Sequence, residues 1–207
     1  MLSIGLTGSI ACGKSTVAQI LRDQGIPVLD ADQVAREVVA PGSAGLAAVV
    51  DHFGPTVLQA DGALDRAALR RIIAESPEER RALEGLTHPR IGEAIMGWLA
   101  EQAHRGTAAA AVEAALMLET GSANRYDALL VVACEPAQQL ARLVSRDGQD
   151  EASARKWLSA QMSTAEKVAA AKAHPRSTVV VWNRGSRDAL VQGVVAALDA
   201  LGVAHAG

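Results

Sequence analysis

The octapeptide Gly8-Ser9-Ile10-Ala11-Cys12-Gly13-Lys14-Ser15 constrains this chain more than any other stretch, and Thr16 follows directly behind it. An apolar run, Met1-Leu2-Ser3-Ile4-Gly5-Leu6-Thr7, precedes it, and a helical pattern, Val17-Ala18-Gln19-Ile20-Leu21, comes after. Strand, loop and helix in that order are what a phosphate-binding loop requires. The glycines allow a tight turn that exposes backbone N–H groups at a helix start, where the helix dipole also favours anions. Lys14 adds a point charge suited to β- and γ-phosphates, and the Ser15 hydroxyl is placed to ligate Mg²⁺. Gly8, Ala11, Cys12, Gly13, Lys14, Ser15 and Thr16 are therefore the candidate nucleotide-binding residues of this stretch. A glycine-rich turn with an incidental lysine would carry the same letters; the flanking strand and helix argue against it.

A chain of 207 residues suits one domain of generous size, or a core with smaller insertions. Aromatic residues make up only 2%, so the core must be built from Ala, Leu, Val and Ile. A net charge of −3 supplies no global basic field to draw in nucleic acid or a membrane surface. Anion binding is left to local clusters, which points to a small phosphorylated ligand. Two cysteines, Cys12 and Cys134, do not make a disulfide framework. Cys12 lies beside a helix N-terminus and Lys14, an environment that lowers a thiol's pKa; a small residue filling a tight loop is the simpler account of it. The first residues already read as a core strand, which predicts no signal peptide, and no apolar stretch reaches the roughly 18 residues of a membrane span. A cytoplasmic protein, monomeric or a small homo-oligomer, is expected.

Beyond the first helix, Gly25 reads as a helix stop and Ile26-Pro27-Val28-Leu29 as a short buried strand leading into Asp30-Ala31-Asp32. Helices are expected over Gln33–Val39 and Ala44–Phe53, closed by Pro41-Gly42 and Gly54-Pro55. Asp65 is a good N-cap for a helix from Arg66, and Ser76-Pro77-Glu78-Glu79 puts Ser, Pro and Glu at the N-cap, N1 and N3 of the next. The His88-Pro89 pair predicts a fresh helix start, running to about Gln102. Ala108–Val112 would be helical by propensity, but its place between Gly106 and Glu113 predicts a buried strand. Asp127–Cys134 is the clearest strand, followed by a helix over Gln138–Ser145, a charged helical stretch over Asp150–Ala173, a last strand over Thr178–Trp182 and a closing helix over 188–201.

Five apolar strands separated by helices imply an α/β fold, a parallel sheet covered on both faces, with ligands beyond the strands' C-terminal ends. Gly8–Ser15, Asp30 and Asp32, Glu113 and Asn183 all fall at such ends. Asp30 and Asp32 are expected to face the phosphate loop, where a carboxylate can take a proton from an attacking hydroxyl or help organise Mg²⁺; one of them can equally be the N-cap of the following helix. Glu113 and Glu119 are candidates for an acidic metal partner, or solvated loop residues. Arg142 and Arg146 share one helix face and can stabilise charge on a transferring phosphoryl group, while Arg155, Lys156 and Lys167 read more simply as a solvated face. Arg66, Arg70, Arg71 and His88 are candidates for substrate contact, with Glu75, Glu78 and Glu79 as alternative partners for the arginines. No Asn-Lys-x-Asp guanine-reading sequence is present, which argues against a GTPase.

With these pieces in place the chain resembles the dephospho-CoA kinase family over nearly its whole length. The resemblance rests on Ile4–Ser15, on Asp30-Ala31-Asp32-Gln33-Val34-Ala35-Arg36-Glu37-Val38-Val39 with Pro41-Gly42, and on Asp61-Gly62-Ala63-Leu64-Asp65-Arg66. It continues with His88-Pro89, Arg142 with Arg146-Asp147-Gly148, Gln161-Met162, Glu166-Lys167 and Asn183. It implies a P-loop NTPase three-layer fold with a five-stranded parallel sheet. The implied parts are a nucleotide-binding core over 1–32, 106–141 and 174–207, a helical substrate-binding part over 33–105, and a lid over 142–173. It implies transfer of the γ-phosphate of ATP to the ribose 3′-hydroxyl of dephospho-CoA with Mg²⁺. Asp32 would be the base, Lys14 and Arg142 would hold the phosphoryl group, Ser15 would serve the metal, Asn183 the nucleotide, and Arg66 and His88 the substrate. Against the family's usual Gly-Gly-Ile-Gly-Ser-Gly-Lys-Ser, this loop has Ser9, Ala11 and Cys12. The usual Pro-Leu-Leu-x-Glu is Ala115-Leu116-Met117-Leu118-Glu119, Gly92 stands where an arginine is usual, and Ala173-His174-Pro175-Arg176 departs from a common Ala-Asp pattern. Another P-loop small-molecule kinase, or a nucleotide-binding regulator that has lost catalysis, is the alternative.

Overall fold

In the computed structural model, which describes residues 1–147 and 150–206 (the side chains of Arg146 and Asp147 excepted), the five expected strands form a single sheet. β1 (Leu2–Gly8) is central, flanked by β3 (Ala109–Glu113) and β4 (Ala128–Ala133), with β2 (Val28–Asp30) and β5 (Ser177–Trp182) at the edges. Pairing is parallel, with Leu2 opposite Ala109, Gly8 opposite Val132 and Ala133 opposite Trp182. The chain builds to one side of β1 and then to the other, so the loop after β1 leaves at the topological switch point, where parallel sheets bind ligands. The alanine run of β3 is a strand because Ala109–Val112 are completely buried; burial on both sheet faces overrides alanine's preference for helix.

By contacts the chain divides into two units, Met1–Leu29 with the residues from Glu101 onward, and Asp30–Ala100. In the first, α1 (Lys14–Asp23) and α9 (Arg187–Ala200) bury Val17, Ile20, Leu21, Val194 and Leu198 in one cluster with Ile4, Leu6, Leu130 and Val132. Each such side chain contributes roughly 1.5–3 kcal/mol of hydrophobic stabilisation. The same unit holds α6 (Pro136–Asp147), α7 (Glu151–Ser159) and α8 (Thr164–Lys172).

The second unit is helical: α2 (Ala31–Glu37), α3 (Ala44–Phe53), α4 (Arg66–Glu75) and most of α5 (Pro77–His104). Val39, Leu46, Val49, Val57, Leu64 and Leu69 form its core. Two of its helix starts follow the expected caps: Asp65 accepts from Ala67 N and Ala68 N at 2.9 Å, and Ser76 from Glu79 N at 3.2 Å. Ser43, not expected, caps α3 by accepting from Leu46 N at 3.1 Å.

Two helices differ from expectation. No helix starts at His88-Pro89, because α5 runs unbroken from Pro77 with Pro89 inside it. Pro89 removes the N–H that would reach the Gly85 carbonyl, and its ring crowds that carbonyl. Glycine at 85 leaves the backbone free to yield there, while the Thr87 hydroxyl donates to Leu83 O at 2.8 Å and Arg90 to Leu86 O at 2.6 Å, adding donors around the gap. The 150–173 stretch is two helices, because Ser163 and Glu166 form a capping box that starts α8. Gly148, within the arginine motif read from the sequence, lies outside the described residues. Among the described residues no helix is long and apolar enough to cross a membrane.

Candidate nucleotide site

The loop between β1 and α1 is held by its surroundings, carbonyl by carbonyl. Gln139 Nε2 donates to Ile10 O at 2.7 Å, Arg142 to Ala11 O at 3.4 Å, and Asn183 Nδ2 to Cys12 O at 2.9 Å. In a trans peptide the N–H points opposite to the C=O, so these bonds turn the N–H groups of Ala11 and Gly13 away from the scaffold. Ser9, almost fully buried, donates its hydroxyl to Met162 O at 3.1 Å. Glycine is required at both ends of the loop. A Cβ on Gly8 (φ 155°) would lie 2.4 Å from Val132 O, and one on Gly13 (φ 94°) 2.3 Å from Asn183 Nδ2. Ala11 is the one non-glycine among the described residues with positive φ, at 58°. A left-handed conformation at a residue with a Cβ costs roughly 1–2 kcal/mol.

Lys14 opens α1 and donates its ammonium to Gly8 O at 3.0 Å and Ser9 O at 3.3 Å, which holds the charge over the loop. A cavity of about 590 Å³ adjoins it, lined by loop residues, Lys14, Ser15, Thr16 and the α6 residues Ala141, Arg142 and Ser145. A second cavity of about 280 Å³ shares Gly13, Thr16 and Arg142 with the first and continues to Asn183 and Arg187. Arg142 is thus common to both; its guanidinium also reaches Asn183 Oδ1 at 3.2 Å and Asn183 O at 3.5 Å. The site combines a tight amide loop, an ammonium, a guanidinium and two hydroxyls at a helix start, a set suited to polyphosphate. Gln139 was not expected, although its i,i+3 spacing to Arg142 puts the two on one face of α6.

Cys12 and Cys134 are both buried free thiols, and the Cys134 S–H donates to Cys12 Sγ at 2.9 Å. Cys12 Sγ also lies 3.5 Å from Thr164 Oγ1. The bond from Cys134, then that from Thr164 and the charge of Lys14, outweigh burial and bring the Cys12 thiol down to about 6. Cys134 is pushed up, mainly by the same contact and by burial.

Lys167 departs furthest from the solvated face expected of it. Its side chain is 1% exposed, and its ammonium pairs with Glu119 at 2.9 Å and also donates to Ala115 O. The Thr7 hydroxyl, one residue before the loop, donates to the same Ala115 O at 3.3 Å. Glu119 is therefore engaged as the partner of a buried lysine. Breaking a buried pair by removing one member costs about 3–5 kcal/mol. Lys167→Met should lower unfolding free energy by about 3 kcal/mol in a urea titration, and adding Glu119→Gln should recover part of that loss. A single variant as stable as the parent would refute this role.

Asp30, not Asp32, caps α2, accepting from Asp32 N at 2.8 Å and Gln33 N at 3.3 Å. The Asp32 carboxylate is exposed and makes no hydrogen bond or ion pair among the described residues. Arg66 begins α4 and His88 lies mid-α5, both exposed. Glu113 ends β3, opposite Leu6 of β1.

The family model described as dephospho-CoA kinase matches residues 2–186. A dephospho-CoA kinase of Geobacter metallireducens is 43% identical over 196 residues, covering 95% of this chain and 94% of that one. Among solved structures, one from Thermus thermophilus superposes with a TM-score of 0.79 at 30% identity, over 97% of both chains. The dephospho-CoA kinase of Campylobacter jejuni superposes with a TM-score of 0.70 at 24% identity over 96% of each, a likeness of fold.

Proposed function

We infer the division of labour in this site from one starting point: the chain belongs to the dephospho-CoA kinase family. It is an ATP-dependent kinase that phosphorylates dephospho-CoA to coenzyme A, the final step in making that cofactor. The observation that carries the assignment of residues is the loop itself, pinned at three successive carbonyls beside the cavity that Lys14 and Arg142 share.

The loop amides and Lys14 hold the β- and γ-phosphates of ATP, and Arg142 covers the transferring group. Asp32 takes the proton of the ribose 3′-hydroxyl as its oxygen attacks the γ-phosphorus and the bond to the β–γ bridging oxygen breaks, giving ADP. Catalysis of this kind is mostly positioning and charge stabilisation. Residues 33–105, through Arg66 and His88, bind the CoA portion, and 142–173 act as a lid over the nucleotide, with Arg142 at its root already held against the loop. Asn183 supports the nucleotide side.

The residues present fit Mg²⁺. The Ser15 hydroxyl lines the cavity, is exposed and has no hydrogen-bond partner among the described residues. Among the described residues no three His, Cys, Asp or Glu side chains gather into a cage, and Mg²⁺ commonly keeps waters and phosphate oxygens as ligands. When bound, Mg²⁺ neutralises charge on the β- and γ-oxygens.

Purified protein given ATP and dephospho-CoA should release ADP and show a new phosphomonoester resonance by ³¹P NMR, both rising together. ATP turnover indifferent to dephospho-CoA would reject the acceptor.

A further inference from the structure

We propose that Cys12 and Cys134 are an oxidation site, closing to a disulfide under hydrogen peroxide and shutting the nucleotide cavity. The topology brings them together although 122 residues separate them. Gly8 of β1 is opposite Val132 of β4, and each cysteine lies just past the end of its strand, where the loop after β1 folds back. The sulfurs are 2.9 Å apart, so reaching a disulfide bond length of about 2.05 Å takes a movement of about 0.9 Å.

The two thiols are unequal in the way a peroxide-reactive pair needs. Cys12 receives a hydrogen bond from Cys134, stands 3.5 Å from the Thr164 hydroxyl and has its thiol lowered to about 6, whereas Cys134 stays protonated. The Cys12 thiolate attacks one peroxide oxygen, the O–O bond breaks, and with one proton taken up the products are a sulfenic acid and water. Cys134 sulfur then attacks the sulfenic sulfur; the S–O bond breaks, and the departing hydroxyl takes the Cys134 proton as a second water. Two thiols lose two electrons and two protons, and one peroxide becomes two waters. Both sulfurs are buried; the residues on either side of Cys12, Ala11 and Gly13, line the 590 Å³ cavity, and it is from that side that a water-sized oxidant would reach the thiol when the loop opens.

Closure draws Cys12 towards Cys134 and, through the loop backbone, shifts the amides on either side of it. A displacement near 1 Å at a positioning element costs about 100-fold. The enzyme should therefore lose about that factor in activity, with ATP binding weakened in step.

The test is brief peroxide treatment, alkylation of remaining thiols and peptide mass mapping, with ATP binding followed by calorimetry on the same samples. We expect a peptide linking Cys12 to Cys134, lighter by two hydrogens, whose yield tracks the loss of ATP binding and which dithiothreitol reverses. Cys134→Ser should turn over normally before treatment and form no linked peptide. Peroxide that oxidises the parent protein without linking these residues overturns the proposal. So does a linked protein that binds ATP like the reduced one. Neither readout involves dephospho-CoA, so both stand apart from the choice of acceptor.

Discussion

Arg142→Ala is expected to lower kcat/KM for ATP by about 10³-fold, the lower end of what a guanidinium contributes to phosphoryl transfer. Two losses coincide. The transferring group loses a fixed positive charge, and the loop loses the donor to Ala11 O together with the link to Asn183 Oδ1, the side chain whose amide holds Cys12 O. Arg142→Lys should recover little, because one ammonium cannot reach Ala11 and Asn183 from a single planar fork. Asn183→Ala separates the two contributions, since it keeps the guanidinium and removes only the brace. We expect it to weaken ATP binding with a smaller fall in kcat. Steady-state kinetics on all three variants decide the matter. If Arg142→Ala stays within a few-fold of the parent, the residue is a strut for the loop and has no part in the chemistry.

What was legible in the sequence is what local chemistry dictates. Asp65 and Ser76 each accept from the backbone where their spacing put them, and the strands fall within a residue or two of the apolar runs. Pro89 misled because a proline does not by itself end a helix: α5 continues through it, with a glycine at 85, where the ring crowds the backbone, free to yield. The capping box of α8 was readable as Ser163-x-x-Glu166, yet the surrounding charge hid it. Lys167 could not be read at all. A lysine in a charged run looks solvated until the fold delivers Glu119 and a backbone carbonyl from 48 and 52 residues away. The nearness of Cys12 to Cys134 is of the same kind, a product of β1 and β4 being neighbours. Contacts across the sheet depend on strand order, and strand order is not written into any single window of the chain.

Asp32→Asn is expected to lower kcat by about 10²–10⁴-fold, the range for a positioned general base, while ATP affinity changes less than about two-fold. The amide keeps the size and polarity of the carboxylate but cannot accept the hydroxyl proton, so only the chemical step suffers. Asp30, two residues earlier, supplies the contrast. Its carboxylate is committed to Asp32 N and Gln33 N. Asp30→Ala should therefore cost about 1 kcal/mol of stability as a lost helix cap, visible as a lower urea midpoint. This separation follows from how the chain uses its two acids: the first is spent on the start of α2, which leaves the second uncommitted at the first turn. Single-turnover phosphoryl transfer and nucleotide titration measure the two quantities independently. A variant at 32 with unchanged kcat would remove that residue from the proton transfer. A variant that instead loses ATP affinity would give it to the nucleotide.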